Sequence, residues 1–193
     1  FSDYCILFVP SDAGHGARET LSLQIGAYGL PLTPTPGYPN NVNEQDPQRE
    51  QWVRNTVSHN TVVVNDKAQS SMREPGFPLH FADDGYAKVM DIDSPDSYTQ
   101  TDIYRRTVVA VDNGEDVHYY VDFFRVLGGN EHLYAFHAVS LEDPATTGLD
   151  MTKQPMGTYA GPEVELGPWY TNPYTTDTAA NRGSGASWLD HVY

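Results

Sequence analysis

Residues 103–126 constrain the fold more than any other stretch. Ile103–Val111 and Val117–Val126 are runs rich in β-branched and aromatic residues, and between them lies Asp112-Asn113-Gly114-Glu115. An Asn-Gly pair between two apolar runs favours a type I′ turn, because both central residues of that turn need positive φ. β-branched side chains are stiff at χ1 and pack well on a pleated surface. A long antiparallel hairpin is therefore expected here. A second turn, Gly128-Gly129-Asn130, leads into Leu133–Val139, which predicts a third strand and a three-stranded meander. Such a sheet must bury one face, so the rest of the chain has to supply a second layer.

The remaining segments fit that requirement. Asp3–Val9 reads as a short buried strand, and Leu21–Tyr28 alternates with the period of a half-buried one. Residues 31–39 hold four prolines, which lack ladder donors and predict an extended crossing or turn. Residues 40–50 are polar and read as a surface loop. Leu79–Phe81 and Tyr86–Ile92 flank an Asp83-Asp84-Gly85 turn. Beyond Leu141 the sequence loosens, and residues 141–193 are placed only as an irregular C-terminal segment, with short strands expected at Val164–Leu166 and Trp188–Val192. No 3.6-residue apolar stripe with caps is visible. The expected architecture is all-β, an antiparallel β-sandwich formed by residues 1–193 as a single domain.

Charge narrows the partners. The 11 Lys and Arg against 26 Asp and Glu leave a formal net charge of −15. Repulsion on that scale excludes nucleic acid and anionic membrane surfaces as broad partners, and leaves room for a small local basic site. The single cysteine, Cys5, excludes an internal disulfide and a Cys-rich zinc module. It lies in the apolar run Tyr4–Val9 and is expected as a buried hydrophobe. No stretch approaches the roughly 20 apolar residues of a membrane helix. No signal peptide is visible. The start at Phe1 in strand-like sequence and the abrupt end at Trp188–Tyr193 lead us to expect a piece of a longer polypeptide.

The chemistry-bearing residues are few. Ser58-His59-Asn60 opens directly onto Thr61-Val62-Val63-Val64, which would hold His59 on rigid backbone at a strand entrance. That placement suits a ligand or proton-transfer group, and a lone histidine there equally suits a hydrogen-bonded strand cap. The seven histidines show no HExxH or HxH spacing. His118, His132 and His137, in the meander, are expected at the surface or in packing. His15 sits between Gly14 and Gly16, where backbone and ligand can approach closely; a solvated loop histidine is the competing reading. No GxSxG, phosphate-binding loop or dinucleotide fingerprint is present. Tyr38, Tyr170, Tyr174, Trp52 and Trp169 lie in or near loops and suit stacking on sugar rings, or ordinary packing.

Taken in order, these segments resemble the β-sandwich of the heparinase II/III-like polysaccharide lyases, the group of heparinases and oligoalginate lyases. The likeness rests on Asp3–Val9, Gly14-His15-Gly16, Leu21-Ser22-Leu23 and Pro36-Gly37. It continues through Trp52, Arg54, Thr56, His59-Asn60-Thr61-Val62-Val63-Val64 and Gln69. Tyr104–Val109 and Tyr120–Val126 resemble later sheet strands. The His-Asn-Thr-Val-Val-Val segment is the most specific element, and coverage is good from residue 3 to about 140.

The resemblance implies β-elimination on a uronic-acid polysaccharide or oligosaccharide, in a secreted or periplasmic protein. It implies an N-terminal helical toroid, absent from this chain, that carries the main Tyr, His and Asn of the reaction. A helical segment or second chain is therefore an expected partner. From the sandwich it implies one catalytic histidine, matched by His15. Arg54, Gln69 and Trp52 are expected to bind or shape the substrate site, with His59, Asn60, Arg18 and Glu19 as structural neighbours. It also implies zinc held by His, Asp and His. Here those positions read Ala17, Thr35 and His59, so no metal and no other cofactor is expected, zinc being the alternative. Arg18 would place a cation near the metal position. Two rivals remain: a noncatalytic carbohydrate-binding module, and an extracellular assembly protein that uses the sandwich for packing.

Overall fold

The computed structural model describes residues 3–8, 16–37, 49–70, 76–112, 114, 118–138, 145–165 and 189. It is an all-β sandwich. Strands β1 (Tyr4–Leu7), β2 (Leu23–Ala27) and β3 (Leu30–Pro31) form one antiparallel sheet in the order β1-β2-β3. A second sheet pairs β4 (Val62–Val64) with β9 (His132–Tyr134). The third and largest sheet is the four-stranded meander of β5 (Phe77–Asp83), β6 (Ala87–Asp93), β7 (Thr101–Asp112) and β8 (His118–Gly128).

The hairpin expected from Asn113-Gly114 is present, with β7 and β8 in register from Tyr104↔Val126 to Asp112↔His118. Alternation along β7 sends Tyr104, Arg106 and Val108 inward, each 0% exposed. Tyr104 meets Leu7, Leu21, Val62 and Val64 from the other layer, joined by Ile92 and Tyr98, with Met90, Phe124 and Val126 packed alongside. This apolar cluster, rather than any one sheet, is what joins the layers.

The expected three-stranded meander needs correction. β9 leaves β8 and pairs with β4, with Val62 opposite Tyr134 and Val64 opposite His132. Two glycines make the crossing. Gly128 and Gly129 have φ of 101° and 80°. A Cβ on Gly129 would lie 2.4 Å from Val64 Cγ1, and one on Gly128 would lie 2.3 Å from the Gln100 carbonyl oxygen. The chain thus turns tightly against its neighbours and out of the large sheet. Cys5 is also less buried than expected, at an intermediate level. Of the proline-rich segment, Pro31 occupies the short edge strand opposite Gly26, residues 32–37 lie in no strand, and residues 38–39 fall outside the described residues. Val164 and Glu165 lie outside any strand, and the other residues of the two strands expected at Val164–Leu166 and Trp188–Val192 fall outside the described residues except Leu189, which accepts a hydrogen bond from the Tyr159 N–H (2.9 Å).

Candidate functional site

The His-Asn-Thr triplet sits where all three sheets meet, and each of its side chains has a different neighbour to hold. Asn60 is 1% exposed. Its Nδ2 donates to the Leu23 and Thr33 carbonyls (3.0 and 3.4 Å), and its Oδ1 accepts the His137 N–H (2.5 Å). Thr61 Oγ1 donates to the Thr20 carbonyl (3.0 Å) and lies 2.9 Å from the Tyr104 hydroxyl. One polar triplet therefore connects β2, β4, β7 and the segment after β9. The β-branched run that follows gives this junction its rigidity.

Arg106, which the sequence offers only as part of the strand-like run Tyr104–Val109, is the centre of the junction. All five of its N–H donors are used: Nε and Nη2 hold Asp122 (2.9 and 2.7 Å), Nη1 holds the Leu21 and Asn60 carbonyls (2.6 Å each), and Nη2 also reaches the Tyr134 hydroxyl (2.8 Å). The guanidinium lies 5.0 Å from the Phe124 ring centroid. Leu21 is held at a left-handed φ of 60°, with its N–H on the Phe8 carbonyl and its own carbonyl on Arg106. Those anchors offset the strain of a non-glycine residue in that region. They fix the segment that begins at Gly16.

Gln69 holds the same segment from the other side. It is 2% exposed, accepts the Thr20 N–H (2.7 Å), and donates to the Thr20 carbonyl (2.9 Å) and the Tyr104 hydroxyl (3.0 Å). Its own N–H bonds Thr56 Oγ1, which donates to the Arg18 carbonyl. Its amide thus completes the backbone of residue 20 in place of a strand partner. Burial at Tyr104 pushes that phenol up to about 12, so it stays a neutral member of the network.

Around this junction lies an arginine-bearing corner. A π-type turn, Arg49–Val53, leads into a 3-10 turn, Thr56–Ser58, whose Val57 N–H donates to the capping Asn55 Oδ1. The Arg18 N–H donates to the Arg54 carbonyl (3.0 Å), and the Arg54 N–H donates to the Arg49 carbonyl (2.8 Å). The main chains of three of the chain's 11 Lys and Arg are thereby joined, with Gly16 two positions before Arg18. His15 itself lies outside the described residues, one position before Gly16.

His59 backs this corner and is 2% exposed. Its Nε2 is 3.2 Å from the Val53 carbonyl and so carries the proton. Its Nδ1 faces Glu19 Oε2 at 3.4 Å without a hydrogen bond. Burial pushes the ring down to about 4, leaving it neutral near pH 7. His137 is the neighbour that spacing did not single out. Its Nε2 bonds the Val57 carbonyl (2.8 Å), its ring packs edge-on against Trp52 at 5.9 Å, and burial lowers its pKa. The signal that could have found it is the crossing at Gly128-Gly129, which carries the chain back to this layer.

Of the sequence-selected residues, then, Arg18, Glu19, Trp52, Arg54, His59, Asn60 and Gln69 come together, Ala17 precedes Arg18, and Thr35 lies two residues past the Thr33 carbonyl that Asn60 holds. They do not fit zinc. His59 Nδ1 and Glu19 Oε2 are two donors where zinc takes three or four protein ligands, and Ala17 has none to offer. Among the described residues no three His, Cys, Asp or Glu converge. No helix among them is long and apolar enough to cross a membrane.

Compared with known families, residues 7–131 match the model described as Heparinase II/III-like, C-terminal. No curated protein matches the chain.

Proposed function

The chain belongs to the heparinase II/III-like C-terminal family, a family of polysaccharide lyases, and on that premise we propose that its sandwich completes a lyase active site. The substrate is a uronic-acid polysaccharide or oligosaccharide, and a helical segment or second chain supplies the rest of the site. Residues 1–193 act as one domain in a secreted or periplasmic protein. In β-elimination a base removes the proton at C5, the electron pair forms the C4–C5 double bond, and O4 leaves with a proton from an acid. A cation beside the uronate carboxylate lowers the barrier by offsetting charge that develops at C5. His15 assists proton transfer or holds the uronate, Arg54 and Trp52 line the site, and Gln69 shapes it from beneath.

The observation that carries this reading is the arginine corner, with Arg18, Arg49 and Arg54 bonded through their main chains beside Gly16 in an otherwise acidic chain. An anionic sugar needs such a local exception. The test follows the ultraviolet absorbance of unsaturated uronate products on alginate and heparan-type substrates, with and without a helical partner segment. His15→Ala should abolish the activity of the complete assembly. Full activity in that variant would exclude the role given to His15. Ala17 and Thr35 at two of the family's three zinc-ligand positions favour a second reading, a noncatalytic carbohydrate-binding module. Sugar binding without product formation, unchanged by His15→Ala, would select it.

A further inference from the structure

We propose that a cleft at the opposite end of β1 from the arginine corner binds a neutral sugar. This rests on the reading of the family as carbohydrate-acting and adds a site which that reading does not use. The cleft measures about 860 Å3 and opens between β1 and the far ends of β6, β7 and β8. That volume falls in the range of ligand sites. Its distance from the corner follows from the strands. Arg106, which bonds Asn60, and Asp112, which lines the cleft, are six residues apart on β7, or about 20 Å.

Its walls are aromatic. Tyr4, Tyr28, Phe81, Tyr86 and Tyr119 all line it, and Tyr28, Phe81 and Tyr86 are 69%, 70% and 60% exposed. Tyr4 is seated by a glycine: a Cβ on Gly26 would lie 2.1 Å from the Tyr4 ring, so the ring lies directly over that position. The polar side is acidic. His118 spans two carboxylates, Asp3 at 3.6 Å and Asp112 at 3.7 Å. Lys88, the one Lys or Arg among the described residues that line the cleft, lies 3.6 Å from Asp83.

Each feature removes a ligand class. The carboxylates repel a uronate or sulfated sugar. A purely apolar ligand would desolvate them with no donors in return. A neutral sugar meets both demands, with hydroxyl groups to donate to Asp3 and Asp112 and an apolar ring face to lie on tyrosine.

Cys5 provides the readout, because it lines the cleft and is the chain's one cysteine. Its rate of alkylation by iodoacetamide would be measured with cellotetraose, with tetragalacturonate and with fully deacetylated chitotetraose. Cellotetraose at ten times its Kd should slow alkylation about tenfold. Tyr28→Ala and Tyr86→Ala, both at exposed positions, should each raise that Kd about three- to tenfold with unchanged near-ultraviolet circular dichroism. No protection by cellotetraose would overturn the proposal. Equal or stronger protection by tetragalacturonate would overturn it in favour of an anion site, and by chitotetraose in favour of a cation site. Uronate cleavage reports on His15 alone, so either proposal can fail while the other stands.

Discussion

At the residue scale the most informative contrast is between two adjacent arginines. Arg105 and Arg106 follow one another on β7 and point to opposite faces. Arg105 is half-buried and pairs with Asp91, whose carboxyl it holds below the usual range. Such a pair contributes little to stability. Arg106 is fully buried, with all five donors engaged by Asp122, Tyr134 and two backbone carbonyls. Removing it strands Asp122 and two carbonyls at the junction. Arg106→Met should cost about 3–5 kcal/mol in urea unfolding. Arg106→Lys should recover only part, because an ammonium has three donors and no fork. A loss below about 1 kcal/mol for Arg106→Met would mean that the junction is held by its apolar contacts alone. Nothing in the Tyr-Arg-Arg-Thr string distinguishes the two arginines in energy; only the register of β7 on β8 does.

At the element scale the deciding feature is the turn after β8. Its sequence predicts a turn, and the structure shows which strand the turn feeds. The three residues of β9 could pair with the edge of the large sheet or cross to β4. The close approach of Gly129 to the Val64 side chain, which only a residue without a Cβ allows, selects the crossing. Gly129→Ala should therefore cost about 2–4 kcal/mol, the sum of a left-handed alanine and a clash in a packed layer. Gly148 is the control, since its φ of 82° is similar and a Cβ there meets open space. Gly148→Ala should cost about 1 kcal/mol. Equal losses in thermal unfolding would show that backbone strain accounts for both and that the Val64 contact carries none of the difference. The same crossing brings His137 onto Trp52 and the Val57 carbonyl, which explains why histidine spacing within a supposed meander gave no sign of it.

At the scale of the whole molecule, acid should be the sensitive direction. His59 is pushed down to about 4 and His137 is also lowered, both by burial. An unfolded chain binds protons at these rings near pH 6.5 while the folded one does not. The unfolded state therefore gains protons first, and stability falls as pH drops from about 6.5 toward 4. For His59 alone the loss is about 3 kcal/mol across that window. Urea unfolding at successive pH values should show this slope, and His59→Gln should flatten it. A slope unchanged in His59→Gln would assign the acid sensitivity to other groups. Above pH 7 neither ring contributes any dependence.

What the sequence determined by itself is the class of fold and its family. Those follow from local features: β-branched runs, an Asn-Gly turn, proline spacing, and a His-Asn-Thr-Val-Val-Val string whose polar triplet must be satisfied inside. Strand existence depends on neighbours a few residues away, so it is legible along the chain. What the tertiary structure alone decided is the use of the polar residues. Asn60, Gln69 and Arg106 face carbonyls 37, 49 and 85 residues distant. Their roles depend on which backbone groups the fold leaves without partners, and no spacing rule encodes that. The same holds for the distribution of charge. The chain's net charge is written in its composition, but the joining of three arginine-bearing segments at one end and the meeting of Asp3 and Asp112 across His118 at the other come from tertiary contacts between strands and loops far apart in the chain.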